Sequence, residues 1–88
     1  MAKYRVLAVD DEMSSNKKLF ENLFKGDPDF SMGLAETWSE YNKERLRAFD
    51  AILLDVNLDH WGKTLQDAFK IVEGERPVVL VSQYWEEI

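Results

Sequence analysis

The stretch Arg5-Val-Leu-Ala-Val-Asp-Asp-Glu12 decides the fold, because an unbroken apolar run stops abruptly at three acidic residues. A short continuous apolar run predicts a strand that is buried on both faces of a sheet. Two later runs have the same character, and a third candidate strand alternates apolar with small residues, which predicts a half-covered strand at a sheet edge. The continuous runs are residues 51–54, ending at Asp55, and residues 78–81, ending at Ser82; the alternating run is residues 30–35.

Three segments with helical spacing separate these strands. Apolar residues mark one face of each segment, and polar residues or glycines are placed where a helix would begin or end. The faces are Met13, Leu19, Phe20, Leu23 and Phe24; then Trp38, Tyr41, Leu46 and Phe49; then Leu65, Ala68, Phe69 and Val72. The boundary signals are Ser14 or Ser15 with Gly26, the capping box of Thr37 and Glu40, and Thr64 and Asp67 with Gly74. The alternation predicts an α/β fold with a parallel sheet and helices on both faces.

Composition limits the classes of protein that this chain can belong to. Its 88 residues allow one small domain, residues 1–88, and 17 acidic against 11 basic side chains give a net charge of −6. The acidic balance and the lack of a basic cluster argue against direct nucleic-acid binding. No run is long and apolar enough for a membrane span, and no secretory signal is visible. With no cysteine, disulfides and thiolate sites are excluded, and we expect a cytoplasmic location.

Polar side chains follow three of the predicted strands at their carboxyl ends, which is where ligands bind in open parallel sheets. Asp10, Asp11 and Glu12 follow the first strand, and the other two strands deliver Asp55 with Asn57, and Ser82. If these strands are neighbours, the side chains converge. Clustered carboxylates repel one another until a proton or a cation relieves the repulsion. Oxygen ligands without His or Cys suit a hard cation such as Mg²⁺.

Three blocks of the sequence resemble the receiver domain of two-component response regulators. They are Arg5-Val-Leu-Ala-Val-Asp-Asp-Glu12, Phe49-Asp-Ala-Ile-Leu-Leu-Asp55 and Arg76-Pro-Val-Val-Leu-Val-Ser82. The resemblance implies a flavodoxin-like fold and a signalling role, not an enzymatic one, in which a histidine kinase or phosphotransfer protein supplies a phosphoryl group. It implies the following roles: Asp55 as phospho-acceptor, Asp11 as a direct Mg²⁺ ligand, Asp10 as a ligand partly through water, Asn57 as a ligand through its backbone carbonyl, and Ser82 as the switch hydroxyl.

The chain also departs from the receiver pattern. Asp59 and Lys63 occupy positions where that family usually has Pro and Gly, and Gln83-Tyr84-Trp85 is bulkier than expected after Ser82. A receiver continues into a fourth helix, a fifth strand with a phosphate-binding lysine, and a fifth helix, so this chain resembles a receiver truncated after its fourth strand. We expect one of three explanations: a fragment, a chain that a symmetric partner completes, or a divergent receiver whose output surface has been lost. We expect the fourth strand to lie at a sheet edge, where it could pair with a second copy.

Two other functions stay open on the sequence alone. One is a pseudo-receiver, a protein-interaction or dimerisation module whose aspartates are not phosphorylated. The other, which has less support, is an Mg²⁺-dependent phosphatase with an aspartyl nucleophile. A calcium loop beginning at Asp55 is rejected, because His60 and Gln66 stand where Gly and Glu are needed. We interpret His60 as an exposed bystander, and Trp38, Trp61 and Trp85 as packing residues.

Overall fold

The sheet is parallel throughout, with its four strands in the order β2-β1-β3-β4. A computed structural model describes residues 3–74 and 76–81 of the chain. Short 3₁₀ turns at Trp38–Glu40 and Asp59–Trp61 precede the second and third helices. The strands and helices are β1 Tyr4–Val9, α1 Met13–Leu23, β2 Phe30–Ala35, α2 Lys43–Leu46, β3 Ala51–Asp55, α3 Leu65–Val72 and β4 Val78–Val81. The described residues therefore form the expected α/β fold, an incomplete flavodoxin-like domain with four strands and three α-helices.

Strand position follows the apolar pattern except at β4. β1 and β3 are central and β2 is an edge strand, as the continuous and alternating runs predict. β4 occupies the other edge of the described sheet, with Val79 52% and Leu80 49% exposed. The prediction that residues 78–81 are buried on both faces is therefore wrong for the described part of the chain. The expectation of an edge position for this strand is confirmed among the strands that the structure describes.

Helices cover both faces of the sheet, as predicted. α1 packs on one face and α2 and α3 on the other, because side chains that alternate along β1 and β3 point to opposite sides. The core on the α1 side contains Val6, Ala8, Met13, Phe20 and Leu53. The core on the other side contains Leu7, Val9, Ala35, Tyr41, Leu46, Phe49, Ile52, Leu54, Leu58, Ala68 and Val72. Within the ranges described, no helix combines the length and the apolar character that crossing a membrane requires.

The first helix differs from its sequence prediction at two points. Its N-cap is Glu12 rather than Ser14 or Ser15. The Asp10 carboxylate accepts the backbone N–H of Glu12, the residue just before the first helical residue. Leu19 and Leu23, assigned to the buried face, are exposed because the buried stripe is narrower and runs through Met13 and Phe20.

The capping signals in the sequence predict the start of α3 correctly but not the start of α2. Thr64 and Asp67 mark the start of α3 as predicted, and they form a capping box there, with the Asp67 backbone N–H donating to Thr64 Oγ1 over 3.1 Å. In return, the Thr64 backbone N–H donates to Asp67 Oδ2 over 2.9 Å, and this hydrogen bond lowers the pKa of Asp67. Thr37 and Glu40 also form their predicted capping box, with the Thr37 N–H donating to Glu40 Oε1 over 3.0 Å, but it begins the 3₁₀ turn and not α2. Asn42 caps α2, and its side chain accepts the Arg45 N–H over 2.9 Å.

Gly33 in β2 lies directly against the ring of Phe49, and a Cβ at this position would be 2.5 Å from Phe49 Cζ. We expect Gly33→Ala to lower the free energy of unfolding by about 1–3 kcal/mol, because the packed ring has to move. Urea unfolding measures this loss. In a Phe49→Leu background the same substitution should cost clearly less, and equal losses in the two backgrounds would contradict the proposed clash.

Candidate metal centre

Three carboxylates meet at the carboxyl edge of the sheet. Asp10 and Asp11 follow β1, and Asp55 is the last residue of β3. Val9 and Leu54 are paired in the parallel register, so the chain leaves both strands at the same level. One oxygen from each of the three side chains lies within 4.8 Å of the others. The predicted convergence of Asp10, Asp11 and Asp55 is therefore found, and this acidic cluster could bind a metal ion.

Asp10 is fixed by hydrogen bonds to both of its carboxylate oxygens. Its Oδ1 accepts the backbone N–H of Glu12 over 2.8 Å, and its Oδ2 accepts the side-chain amide of Asn16 over 2.8 Å. The residue is only 3% exposed. One donor lies in the connection before α1 and the other on α1 itself. Together they fix the orientation of this carboxylate.

Asp11 is held by the loop that follows β3. Its side chain is 2% exposed, and its Oδ2 accepts the backbone N–H of His60 over 2.7 Å. The imidazole of His60 is 62% exposed and lies between two acids, with Nδ1 3.4 Å from Asp11 Oδ2 and Nε2 3.1 Å from Glu12 Oε1. His60 is exposed, as expected, but it contacts the acidic cluster through both its backbone and its ring.

Asp55 is the least satisfied member of the acidic cluster. Its Oδ1 accepts the Asn57 backbone N–H over 3.2 Å, whereas its Oδ2 is buried and has no hydrogen-bond partner among the residues described. Burial raises the pKa of Asp55 to about 7, and the negative charges of Asp10 and Asp11 act in the same direction against the opposing effect of the Asn57 hydrogen bond. An anion in this position needs a proton or a cation beside it.

The acidic cluster meets the chemical requirements of a hard-cation site. Its donors are all carboxylate oxygens, and one of them is buried with no partner in the described structure. A buried polar atom without a partner costs free energy, and a cation in contact with Asp55 Oδ2 would remove that cost. The acidic cluster therefore has the oxygen ligands that a hard cation prefers, and a bound cation would stabilise it.

The two remaining predicted site residues have different outcomes. Asn57 lies next to the acidic cluster, with its N–H directed to Asp55 and its side-chain oxygen accepting the Asp59 N–H over 3.0 Å. A role for its backbone carbonyl as a metal ligand stays a prediction. Ser82, predicted to be the switch hydroxyl, lies outside the described residues.

Two residues that contact the acidic cluster were not identified from the sequence. Asn16 is one polar residue among several on α1, and no pattern distinguishes it from Asn22. His60 belongs to the loop after Asp55, and its contact with Asp11 depends on the 3₁₀ turn Asp59–Trp61 that ends at Gly62, where φ is +66°. The position of His60 in the loop after Asp55 was a signal in the sequence. The sequence does not show the direction in which the backbone N–H of His60 points.

The two tryptophans that the structure describes pack against the core, as expected. Trp38 and Trp61 meet edge to face with ring centroids 5.8 Å apart, and both are partly buried against the core beneath α3. Lys63 Nζ lies 5.2 Å from the centroid of the Trp38 ring. Trp85 lies outside the described residues.

The comparisons with known proteins add no family assignment. No protein-family model matches the chain, and no significant match exists among curated proteins or solved structures. The fold and the site define a class on their own: an α/β protein with a parallel sheet and a potential metal-binding carboxylate cluster at the carboxyl edge of its central strands.

Proposed function

We propose that this protein is a receiver-type signalling module that accepts a phosphoryl group on Asp55 from a histidine kinase or phosphotransfer protein. One observation carries the proposal. Asp55 places a buried oxygen without a described partner beside two further carboxylates at the carboxyl edge of a central strand. A structural aspartate at a strand end would instead cap a turn with both oxygens satisfied.

The proposed metal is Mg²⁺, held by Asp11, Asp55 and the backbone carbonyl of Asn57, with Asp10 contributing partly through water. When bound, the ion supplies positive charge to the phosphoryl oxygens and to the ionised carboxylates. Mg²⁺ commonly takes one or two carboxylates together with phosphate oxygens and water, which agrees with the small number of side chains available here.

In the proposed reaction, the ionised Asp55 carboxylate is the nucleophile. Its oxygen forms a bond to the phosphorus atom of a phosphohistidine while the phosphorus–nitrogen bond breaks, and the electron pair of that bond returns to the donor imidazole. Asp55 must be deprotonated to react, so any interaction that stabilises its anion favours the transfer. The acyl phosphate then adds negative charge beside Asp11 and the loop that contains His60, which would change partner binding through that loop and Ser82.

Phosphorylation by a small-molecule donor tests this function directly. The protein is incubated with acetyl phosphate and Mg²⁺, and the intact mass is measured. We expect the wild type to gain one phosphoryl group, and Asp55→Asn to gain none, because the amide is not a nucleophile. Asp59→Asn is the matched control, since it removes an exposed carboxylate from the same loop, and it should be modified like the wild type.

Three other results would contradict the proposed function. A wild type that binds Mg²⁺ but stays unmodified would not be a phospho-acceptor, and a phosphoryl group that persists in Asp55→Asn would lie on another residue. Sustained hydrolysis of an added phosphomonoester would indicate a phosphatase instead.

A cytoplasmic location is part of the proposal, because it places the chain with its phosphodonor and agrees with the lack of cysteine.

The exposed β4 supports a second candidate function, that of an interaction module which dimerises without phosphorylation. Val79 and Leu80 are about half exposed on opposite faces of an edge strand in the described sheet. Such an edge favours pairing with another chain. Light scattering should show a dimer in this case, and Leu80→Lys should return it to the monomer; a monomeric wild type would exclude this function.

A further inference from the structure

We propose that Asn16 is a positioning residue for the metal centre, where it holds Asp10 in the orientation that the cation requires. The inference rests on the proposed function, because it assigns a role to Asn16 within the same acidic cluster. Asn16 does not belong to the cluster itself, and its side-chain amide acts through Asp10.

The geometry at Asp10 supports this assignment. Asn16 lies in the second turn of α1, and its Nδ2 donates to Asp10 Oδ2 over 2.8 Å. The other oxygen of Asp10 is held by the Glu12 N–H, which belongs to the connection and cannot be removed by changing a side chain. Asn16 is therefore the side chain through which the orientation of the buried Asp10 carboxylate can be altered. Hydrogen-bond partners that orient a ligand in this way typically contribute tenfold to hundredfold in metal affinity.

The chemical nature of Asn16 suits this role. Asp10 lies within 4.8 Å of two other carboxylates, so its orientation has to be fixed against their repulsion. A lysine or arginine could hold Asp10 equally well, but its positive charge would oppose a cation in the same place. A neutral amide donates the hydrogen bond and leaves the negative charge of the acidic cluster available to the metal.

Calorimetric titration of the metal-free protein with Mg²⁺ tests the inference without any phosphorylation. We expect Asn16→Ala to raise the Mg²⁺ dissociation constant by about tenfold to hundredfold. Asn16→Gln retains an amide donor and should recover part of the affinity. The control is Ser15→Ala, which changes an exposed residue of the same helix and should bind like the wild type. Circular dichroism establishes that each variant is folded.

The outcomes separate the inference from the function on which it rests. If the wild type binds Mg²⁺ and Asn16→Ala binds it equally well, Asn16 has no positioning role and the proposed function is unaffected. A loss of thermal stability in Asn16→Ala with unchanged Mg²⁺ affinity would likewise show a purely structural contact. If the wild type itself binds no Mg²⁺, the metal-dependent function fails and the inference fails with it.

Discussion

In metal-free buffer, the free energy of unfolding of the wild type should fall as the pH rises from about 4 to about 7, and Asp55→Asn should remove most of this fall. The pKa of Asp55 is 3.8 in an ordinary setting and about 7 in the folded protein. Between these values the folded state keeps a proton that the unfolded state has released. Folding is therefore favoured at the acidic end, and the contribution is lost as the pH passes the folded-state value.

The size of this fall in the free energy of unfolding follows from the difference between the two pKa values of Asp55. It corresponds to about 4 kcal/mol without screening, and solvent and salt around the carboxylates should reduce it to about 2 kcal/mol. Asp55→Asn should then match the wild type near pH 4 and exceed it by about 2 kcal/mol near pH 8, measured by urea unfolding with a chelator present. Asp59→Asn removes an exposed charge from the same loop and should follow the wild-type profile. A difference between wild type and Asp55→Asn that is independent of pH would contradict the raised pKa.

The convergence of Asp10 and Asp55 was predictable because it depends on strong local signals. Two apolar runs, each ended by aspartate, predict buried parallel strands whose carboxyl ends meet at one edge. That these two strands are neighbours was implied by the resemblance and not by the runs themselves. The structure confirms the adjacency through the pairing of Val9 with Leu54.

Contacts that depend on loop conformation or on relative exposure could not be predicted. Leu19 and Leu23 have helical spacing but are exposed, because only a narrow face of α1 is buried. The sequence does not show the width of that face. The contact of His60 with Asp11 requires a particular 3₁₀ turn, and the sequence shows only a loop. The unpartnered oxygen of Asp55 results from the positions of all its neighbours, so no spacing rule indicates it.

Mg²⁺ should raise the melting temperature of the wild type, and the effect should depend on Asp11. A ligand that binds only the folded state stabilises it by about 2.7 kcal/mol at a hundredfold excess over its dissociation constant. For a domain of this length, that corresponds to a shift of roughly 10–20 °C. The shift arises because the cation removes repulsion among three carboxylates and gives Asp55 Oδ2 a partner.

Asp11→Asn provides the decisive comparison, because it keeps the shape of a buried side chain and removes one negative charge from the acidic cluster. Without metal this variant should be at least as stable as the wild type, since less charge is confined at the sheet edge. With Mg²⁺ it should lose most of the shift in melting temperature. Glu21→Gln removes an exposed charge from α1 and should keep the full shift. Equal shifts in all three proteins would mean that Mg²⁺ acts on the general surface charge, and the acidic cluster would then not be a metal centre.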